Sequence, residues 1–233
     1  MRQWIWVRVG LLMAGLGLLS AAPAGQLSGA LLPVAHARVP ALPRQALGVP
    51  LSRQQTSYSC GPAVLRSVLK YFGVWDGPEQ ALYRIVNASV EEGSLPEDLA
   101  AGARHFGLSA AVEPRMTVAR LRLHLGLGKL VIVQLQAWRD APRKSAPWRE
   151  VWEDGHYVVL VGLDDEFAYF MDPSTSSAYT YVPLRELLER WHDVNPIRPV
   201  PLEPVDLQLG VVIGDMVRRA APRAVVRSLI PLE

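Results

Sequence analysis

One cysteine in 233 residues excludes an internal disulfide, so the fold must be held by its core. There is no Walker or dinucleotide glycine motif, no His, Cys, Asp or Glu cluster with metal-ligand spacing, and no internal repeat. The sequence therefore implies no cofactor and no metal. It also lacks an excess of charge of one sign, with 24 basic against 22 acidic residues. Both surplus arginines, Arg2 and Arg8, lie at the start; without residues 1–37 the balance is 22 against 22. A neutral chain gives no basic footprint for nucleic acid. The remaining 196 residues suffice for one domain with a sizeable core.

Charge is missing altogether from Val9 through Ala37. Arg2 and Arg8 precede the 14-residue apolar or small-residue run Val9–Ala22, which is followed by Ala22-Pro23-Ala24 and Ala35-His36-Ala37. These are the n-region, h-region and A-x-A sites of a secretory signal peptide. The run is shorter than the ~20 residues of a membrane span. The expectation is export to the periplasm or outside the cell, with an uncleaved segment holding the protein to the inner membrane as the alternative. A lone thiol in such a compartment must be sheltered in a cleft or kept reduced.

That thiol, Cys60, stands in Ser59-Cys60-Gly61-Pro62-Ala63, directly ahead of an apolar stretch with helical spacing that closes at Gly73. Pro62 suits a first helical turn, and Gly73 a C-terminal cap. At a helix start the unpaired N–H groups and the positive end of the dipole favour the nucleophilic thiolate. The competing reading is a small buried hydrophobe, as many lone cysteines are.

A working thiolate needs a base, a group that orients the base, and an oxyanion donor. His156 opens His156-Tyr157-Val158-Val159-Leu160-Val161-Gly162, which reads as a strand buried on both faces with a polar ring at its mouth. His105, His124 and His192 fall in helical patterns without such a setting. Asp172, 16 positions after His156, ends a second short strand in an Asp-Pro turn. Neighbouring strands would let it accept the Nδ1–H of His156. Asp164 and Asp165 fall at the hairpin turn between these strands. Gln54 and Gln55 precede Cys60 by six and five residues, and spacing does not choose which amide is the oxyanion donor.

Gln54 through Leu65, the His156 strand and Asp172-Pro173 together resemble the bacteriocin-processing, double-glycine leader peptidase family of papain-like cysteine peptidases. The resemblance covers roughly Leu51 to Trp191. It implies an α+β fold, with an N-terminal helical half carrying the catalytic Cys packed on a C-terminal antiparallel sheet. It implies Cys60 as nucleophile, His156 as base, Asp172 as orienting group and Gln54 as oxyanion donor. The implied substrate is a peptide or protein, cleaved after small residues such as Gly-Gly. Two departures stand out. Ser59 occupies a position where the family's processing exporters often have Asp. Those exporters also continue into membrane spans and an ATPase that are not seen in this sequence, so the likeness is to a stand-alone exported member.

The expected organisation is a signal segment over 1–37, a linker over 38–50, a peptidase domain over 51–193, and a Pro-rich strap with a basic tail over 194–233. Helices are expected at Pro78–Val86, Leu95–Phe106, Thr117–Leu127 and Leu184–Trp191, and strands at Ser109–Glu113, Leu130–Leu135, His156–Leu163, Glu166–Met171 and Ala178–Val182. Leu207–Ile213 could add an edge strand. The polar insertion Arg139–Gly155, with Trp148 and Trp152, reads equally as a substrate flap or as a loop packed on the body. Two other functions fit the same elements. One is a thiol-dependent acyl transferase resembling phytochelatin synthase; the other is a non-catalytic peptide-binding module, against which the retained Cys60 counts. Oligomeric state is not readable.

Overall fold

The computed structural model describes residues 40–139, 144–175, 179–194, 205–214 and 228–232. The export segment expected over 1–37 lies outside them. Among the described residues no helix is long and apolar enough to cross a membrane.

The first helix, α1 (Cys60–Tyr71), buries Val64, Leu65, Val68 and Leu69, spaced to line one face. Arg66 and Lys70 turn outward, where Lys70 pairs with Asp76 at 2.8 Å. Gly73 stops the helix at φ 66, a conformation that glycine adopts without strain. A shorter helix than expected follows: of Pro78–Val86 only α2 (Gln80–Tyr83) is α-helical, flanked by the i→i+3 bonds Leu82 N–H to Glu79 O and Ile85 N–H to Leu82 O. The third helix, α3 (Pro96–His105), crosses α1 at Gly102, where a Cβ would fall 2.8 Å from Val86 and 2.9 Å from Leu65.

Next come strand β1 (Ser109–Glu113) and helix α4 (Val118–Gly126), whose N-cap Thr117 accepts from the Arg120 N–H at 3.1 Å. The sheet continues through β2 (Leu130–Gln136), β3 (Gly155–Leu163), β4 (Phe167–Met171) and β5 (Tyr179–Pro183), which leads into helix α5 (Leu184–Arg190). A two-stranded ribbon, β6 (His192–Val194) with β7 (Val205–Leu207), precedes β8 (Gly210–Gly214) and β9 (Leu229–Pro231).

Seven strands form one sheet in the order β1-β8-β2-β3-β4-β5-β9, antiparallel except for the parallel β5·β9 pair. This is the α+β, papain-like plan, with three departures from the sequence expectation. Leu207–Ile213 is not one edge strand: it breaks at Gln208 (φ 45), and its second half, β8, lies inside the sheet between β1 and β2. β1, from the N-terminal half, joins the same sheet through β8. Within the basic tail, Leu229–Pro231 pairs with β5, whereas residues 215–227 lie outside the described residues.

Alternation along β3 divides the core. Tyr157, Val159 and Val161 face the side covered by α1 and α3. Val158 and Leu160 face α4 and α5 with Leu121, Leu187 and Trp191. Helices therefore cover both faces of the sheet, and β3 is buried from His156 to its end. Leu47 N–H donates to Val161 O at 2.7 Å, so part of the stretch expected as a linker lies against β3.

Candidate active site

The start of α1 has no side-chain cap: the Ser59 hydroxyl turns back to Thr56, accepting from its N–H at 3.0 Å. Pro62 has no N–H to offer, which leaves the N–H groups of Cys60 and Gly61 at the head of the helix as donors. Cys60 is half-buried and free.

Register brings the partner residues to the same place. In the β2·β3 ladder His156 lies opposite Leu135, and in β3·β4 Val159 lies opposite Met171. Extending that ladder by one residue sets Asp172 opposite Val158, which shares a face with His156. The imidazole Nε2–H donates to Asp172 Oδ1 at 2.9 Å, and both groups are buried, at 2% and 3% exposure. Asp172 Oδ1 also accepts from Ser174 N–H at 2.8 Å. The nitrogen facing Asp172 is thus Nε2 and not the expected Nδ1. With Nε2 on Asp172, Nδ1 is the ring nitrogen left for Cys60. Trp138 packs on the ring with centroids 4.8 Å apart.

Burial by itself would depress the charge on His156, but its hydrogen bonds to Asp172 and Cys60 and the charges of both outweigh it, pushing the imidazole up to about 9. Burial would raise Asp172, yet the His156 hydrogen bond and charge, with the Ser174 bonds, hold it below the usual carboxylate range. A protonated ring between a sulfur and a carboxylate is an arrangement that can stabilise a thiolate and later give up a proton.

The two glutamines part company. Gln54 N–H donates to Pro173 O at 2.9 Å, which ties it to the Asp172 turn, and its side-chain amide donates to Thr56 O at 2.9 Å. An amide nitrogen carries two hydrogens, so one remains. Gln55 points away, with its N–H on Glu79 Oε1 at 3.2 Å and its side-chain oxygen taken by Gln80. Asp164 and Asp165 also lie elsewhere. Asp164 closes the β3–β4 turn by accepting from Glu166 N–H, Phe167 N–H and the Tyr169 hydroxyl, and Asp165 is 98% exposed beside Arg122.

Cys60 and His156 open onto a cleft of about 690 Å³. One wall comes from the loops before α1 and α3, including Ser57, Tyr58 and Glu91–Leu95; the other comes from Gln134, Trp152, Glu153 and the ribbon residues Asp193 and Val194. The polar insertion divides between its two readings. Trp148 packs on the body between the Arg139 and Arg190 guanidinium groups, each 4.0 Å from its ring, whereas Trp152 lines the cleft; residues 140–143 lie outside the described residues.

Sequence reasoning missed the carboxylate of Asp193, which accepts from Gln134 Nε2 at 2.8 Å and from Gln136 Nε2 at 3.1 Å. A Cβ at Gly155 would collide with it, so any larger residue beside His156 would displace this carboxylate from the two glutamine amides. The available signal was Gln134 and Gln136, two amides at i, i+2 in the otherwise apolar strand Leu130–Gln136. Also missed was Glu79, fully buried, which holds the loop ahead of Cys60 by accepting from Gln55 N–H and the Tyr83 hydroxyl. Among the described residues no group of His, Cys, Asp and Glu could hold a metal ion.

Comparison with known proteins gives three results. Residues 46–196 match the family described as the Peptidase_C39 like family. No curated protein matches the chain. Among solved structures, a C39-like peptidase from Bacillus anthracis is similar at 16% identity and TM-score 0.52, covering 75% of this chain and 98% of its own. A double glycine motif protease from an AMS/PCAT transporter, solved with its leader peptide, aligns at 19% identity and TM-score 0.49 over 74% and 95% of the two chains. The peptidase domain of Streptococcus ComA, a bi-functional ABC transporter, aligns at 16% identity and TM-score 0.49 over 72% and 99%.

Proposed function

We propose, for a chain that belongs to the Peptidase_C39 like family and is a cysteine-type peptidase, that Cys60, His156 and Asp172 form its catalytic triad with Gln54 as oxyanion donor. The observation that carries this reading is the buried 2.9 Å bond between His156 Nε2 and Asp172, on a ring that also bonds Cys60. In the resting site the proton rests on the ring, paired with the thiolate. The sulfur attacks a peptide carbonyl, and the developing oxyanion is met by the Cys60 backbone N–H and the second amide hydrogen of Gln54. His156 then protonates the leaving amine, and an acyl-enzyme remains on Cys60. Water deprotonated by His156 attacks that acyl group, the carbon–sulfur bond breaks to release the acid, and the thiolate paired with the protonated ring is restored. Asp172 keeps its charge throughout and holds the ring by Nε2.

The substrate in this reading is a peptide lying in the Cys60 cleft, cut after small residues. Gly61 lets the head of α1 pack closely on the cleft residue Ser94, since a Cβ there would fall 2.9 Å from that side chain. Export by the 1–37 segment belongs to the same proposal and rests on the sequence pattern alone. The test is mass spectrometry of a Gly-Gly-containing peptide incubated with native protein and with Cys60→Ala, with glutathione as a parallel substrate. Peptide products from the native protein alone support the peptidase reading; transfer of a glutathione acyl group without peptide cleavage overturns it.

A further inference from the structure

The charge of this chain is balanced, but the charge of its cleft is not. Glu91, Glu92, Glu153 and Asp193 line it, and no lysine or arginine does so among the described residues. Two of these carboxylates are presented by a built turn. Ser89 and Gly93 exchange backbone hydrogen bonds at 2.8 and 3.0 Å, Glu92 N–H donates to Ser89 Oγ at 3.1 Å, and Gly93 closes the loop at φ 65. Glu91 and Glu92 are exposed on that knuckle, on the wall beside α3, and Glu153 is exposed on the opposite wall. A peptide entering the cleft meets carboxylates contributed by two separate segments, the loop before α3 and the residues before β3.

A second observation, independent of charge, points to a bound chain. Ser94 and Gln134 line the same cleft at 5% and 8% exposure, and Ser94 Oγ and Gln134 Oε1 have no hydrogen-bond partner. Gln134 is fixed by its Nε2 bond to Asp193, which turns its oxygen away from that carboxylate. Ser94 lies against Gly61, one residue past the nucleophile. Buried polar atoms without partners are costly unless a ligand supplies them, and both of these can accept from a peptide N–H.

We infer that the cleft selects basic peptides, with lysine or arginine flanking the small residues at the cut: Glu91, Glu92 and Glu153 attract the cationic side chains, and Ser94 and Gln134 accept from the peptide backbone. This deepens the peptidase reading and rests on it. Opposed charge across a cleft steers encounter and rejects like-charged chains, so acidic peptides are disfavoured as strongly as basic ones are favoured.

The test uses fluorescence anisotropy of the full-length Cys60→Ala protein with two labelled peptides sharing a central Gly-Gly, one flanked by lysines and the other by glutamates. The lysine peptide is expected to bind about tenfold more tightly at low salt, the scale of several exposed pairs acting together, with the ratio shrinking as salt rises. Combining Glu91→Gln, Glu92→Gln and Glu153→Gln brings the ratio close to one, and the corresponding lysine substitutions reverse it. Glu189→Gln, outside the cleft, leaves it unchanged. Ser94→Ala weakens both peptides alike by roughly two- to tenfold, the cost of one neutral hydrogen bond. Equal binding of the two peptides, or a preference that survives the triple neutralisation, overturns the inference. Failure of the peptidase reading looks different: the native protein cleaves neither peptide while Cys60→Ala still sorts them by charge.

Discussion

Two histidine–carboxylate pairs stand in the described residues, and they are nearly alike in length. His156 meets Asp172 at 2.9 Å, and His124 meets Glu113 at 3.1 Å. The surroundings separate them. Asp172 is buried and shares its charge with His156 and the N–H of Ser174, whereas Glu113 is 26% exposed and divides its charge between His124 and Arg120. His156 has a thiol on its other side and a cleft in front of it; His124 has an unpartnered Nδ1 and packs at the end of α4. A short bond from a ring to a carboxylate is therefore a structural brace until a nucleophile and an opening are added.

The sharpest way to break the comparison is to delete both rings in turn. Cys60→Ala and His156→Ala should each abolish peptide cleavage, by on the order of 10⁶ in kcat, because the members of such a unit fail together. His124→Ala should leave kcat within about twofold, since it touches no group of the site. A steady-state assay on one peptide, with melting temperatures alongside, decides; comparable losses from the two histidines would put the site in the wrong place.

Exchanging the carboxylates gives the next effect. Asp172→Asn should lower turnover by about 10²–10⁴, because the amide can present the wrong partner to Nε2 and hold His156 in an unproductive tautomer. Asp172→Ala should be worse, and Glu113→Gln should change turnover little. Native-like turnover by Asp172→Ala at unchanged stability would reduce Asp172 to a turn residue before Pro173.

The glutamines make a smaller contrast of the same kind. Gln54→Ala should reduce kcat by roughly 10²–10³, as loss of one oxyanion donor does. Gln55→Ala should cost almost nothing in turnover, because its contacts run to Glu79 and Gln80. The reverse order in a kcat comparison would exchange their roles.

The smallest effect is on stability, and its sign differs between the two ends of the pH range. His156 is raised from 6.5 to about 9, so its pairing stabilises the fold fully below pH 6.5 and loses that contribution as pH rises through 9. Asp172 is lowered from 3.8, so its contribution is present above pH 3.8 and is lost as pH falls through its lower folded value. The melting-temperature gap between native protein and His156→Ala should therefore close between pH 6.5 and pH 9; a gap that widens there contradicts the paired charge.

The elements that hold the site were legible because each is local. The helix behind Cys60 is written in i, i+3, i+4 apolar spacing ended by Gly73, the strand behind His156 in an unbroken β-rich run, and the turn at Asp172 in the proline after it. The start of α4 at Thr117 is marked by a local signal of the same kind, a hydroxyl that caps the Arg120 N–H. What failed was long-range. Nothing in Gly210–Gly214 distinguishes an edge strand from one inserted between β1 and β2, because that choice depends on which backbone groups are left unpaired by β1 and β2, both far earlier in the chain. Asp193 was overlooked because its partners, Gln134 and Gln136, lie 59 and 57 residues away.

By itself, then, the sequence determined the parts: a lone thiol at a helix start, an imidazole at a strand mouth, a carboxylate before proline, and a resemblance that named their chemistry. Side-chain periodicity, proline geometry and helix capping act within a few residues, so the chain encodes them directly. The tertiary structure alone decided which ring nitrogen meets Asp172, which glutamine's backbone is tied to the Asp172 loop, and that four carboxylates face one cleft in a chain of nearly zero net charge. Those outcomes depend on strand register and on which loops close over the same space, and both are fixed only when distant segments compete for one sheet and one core.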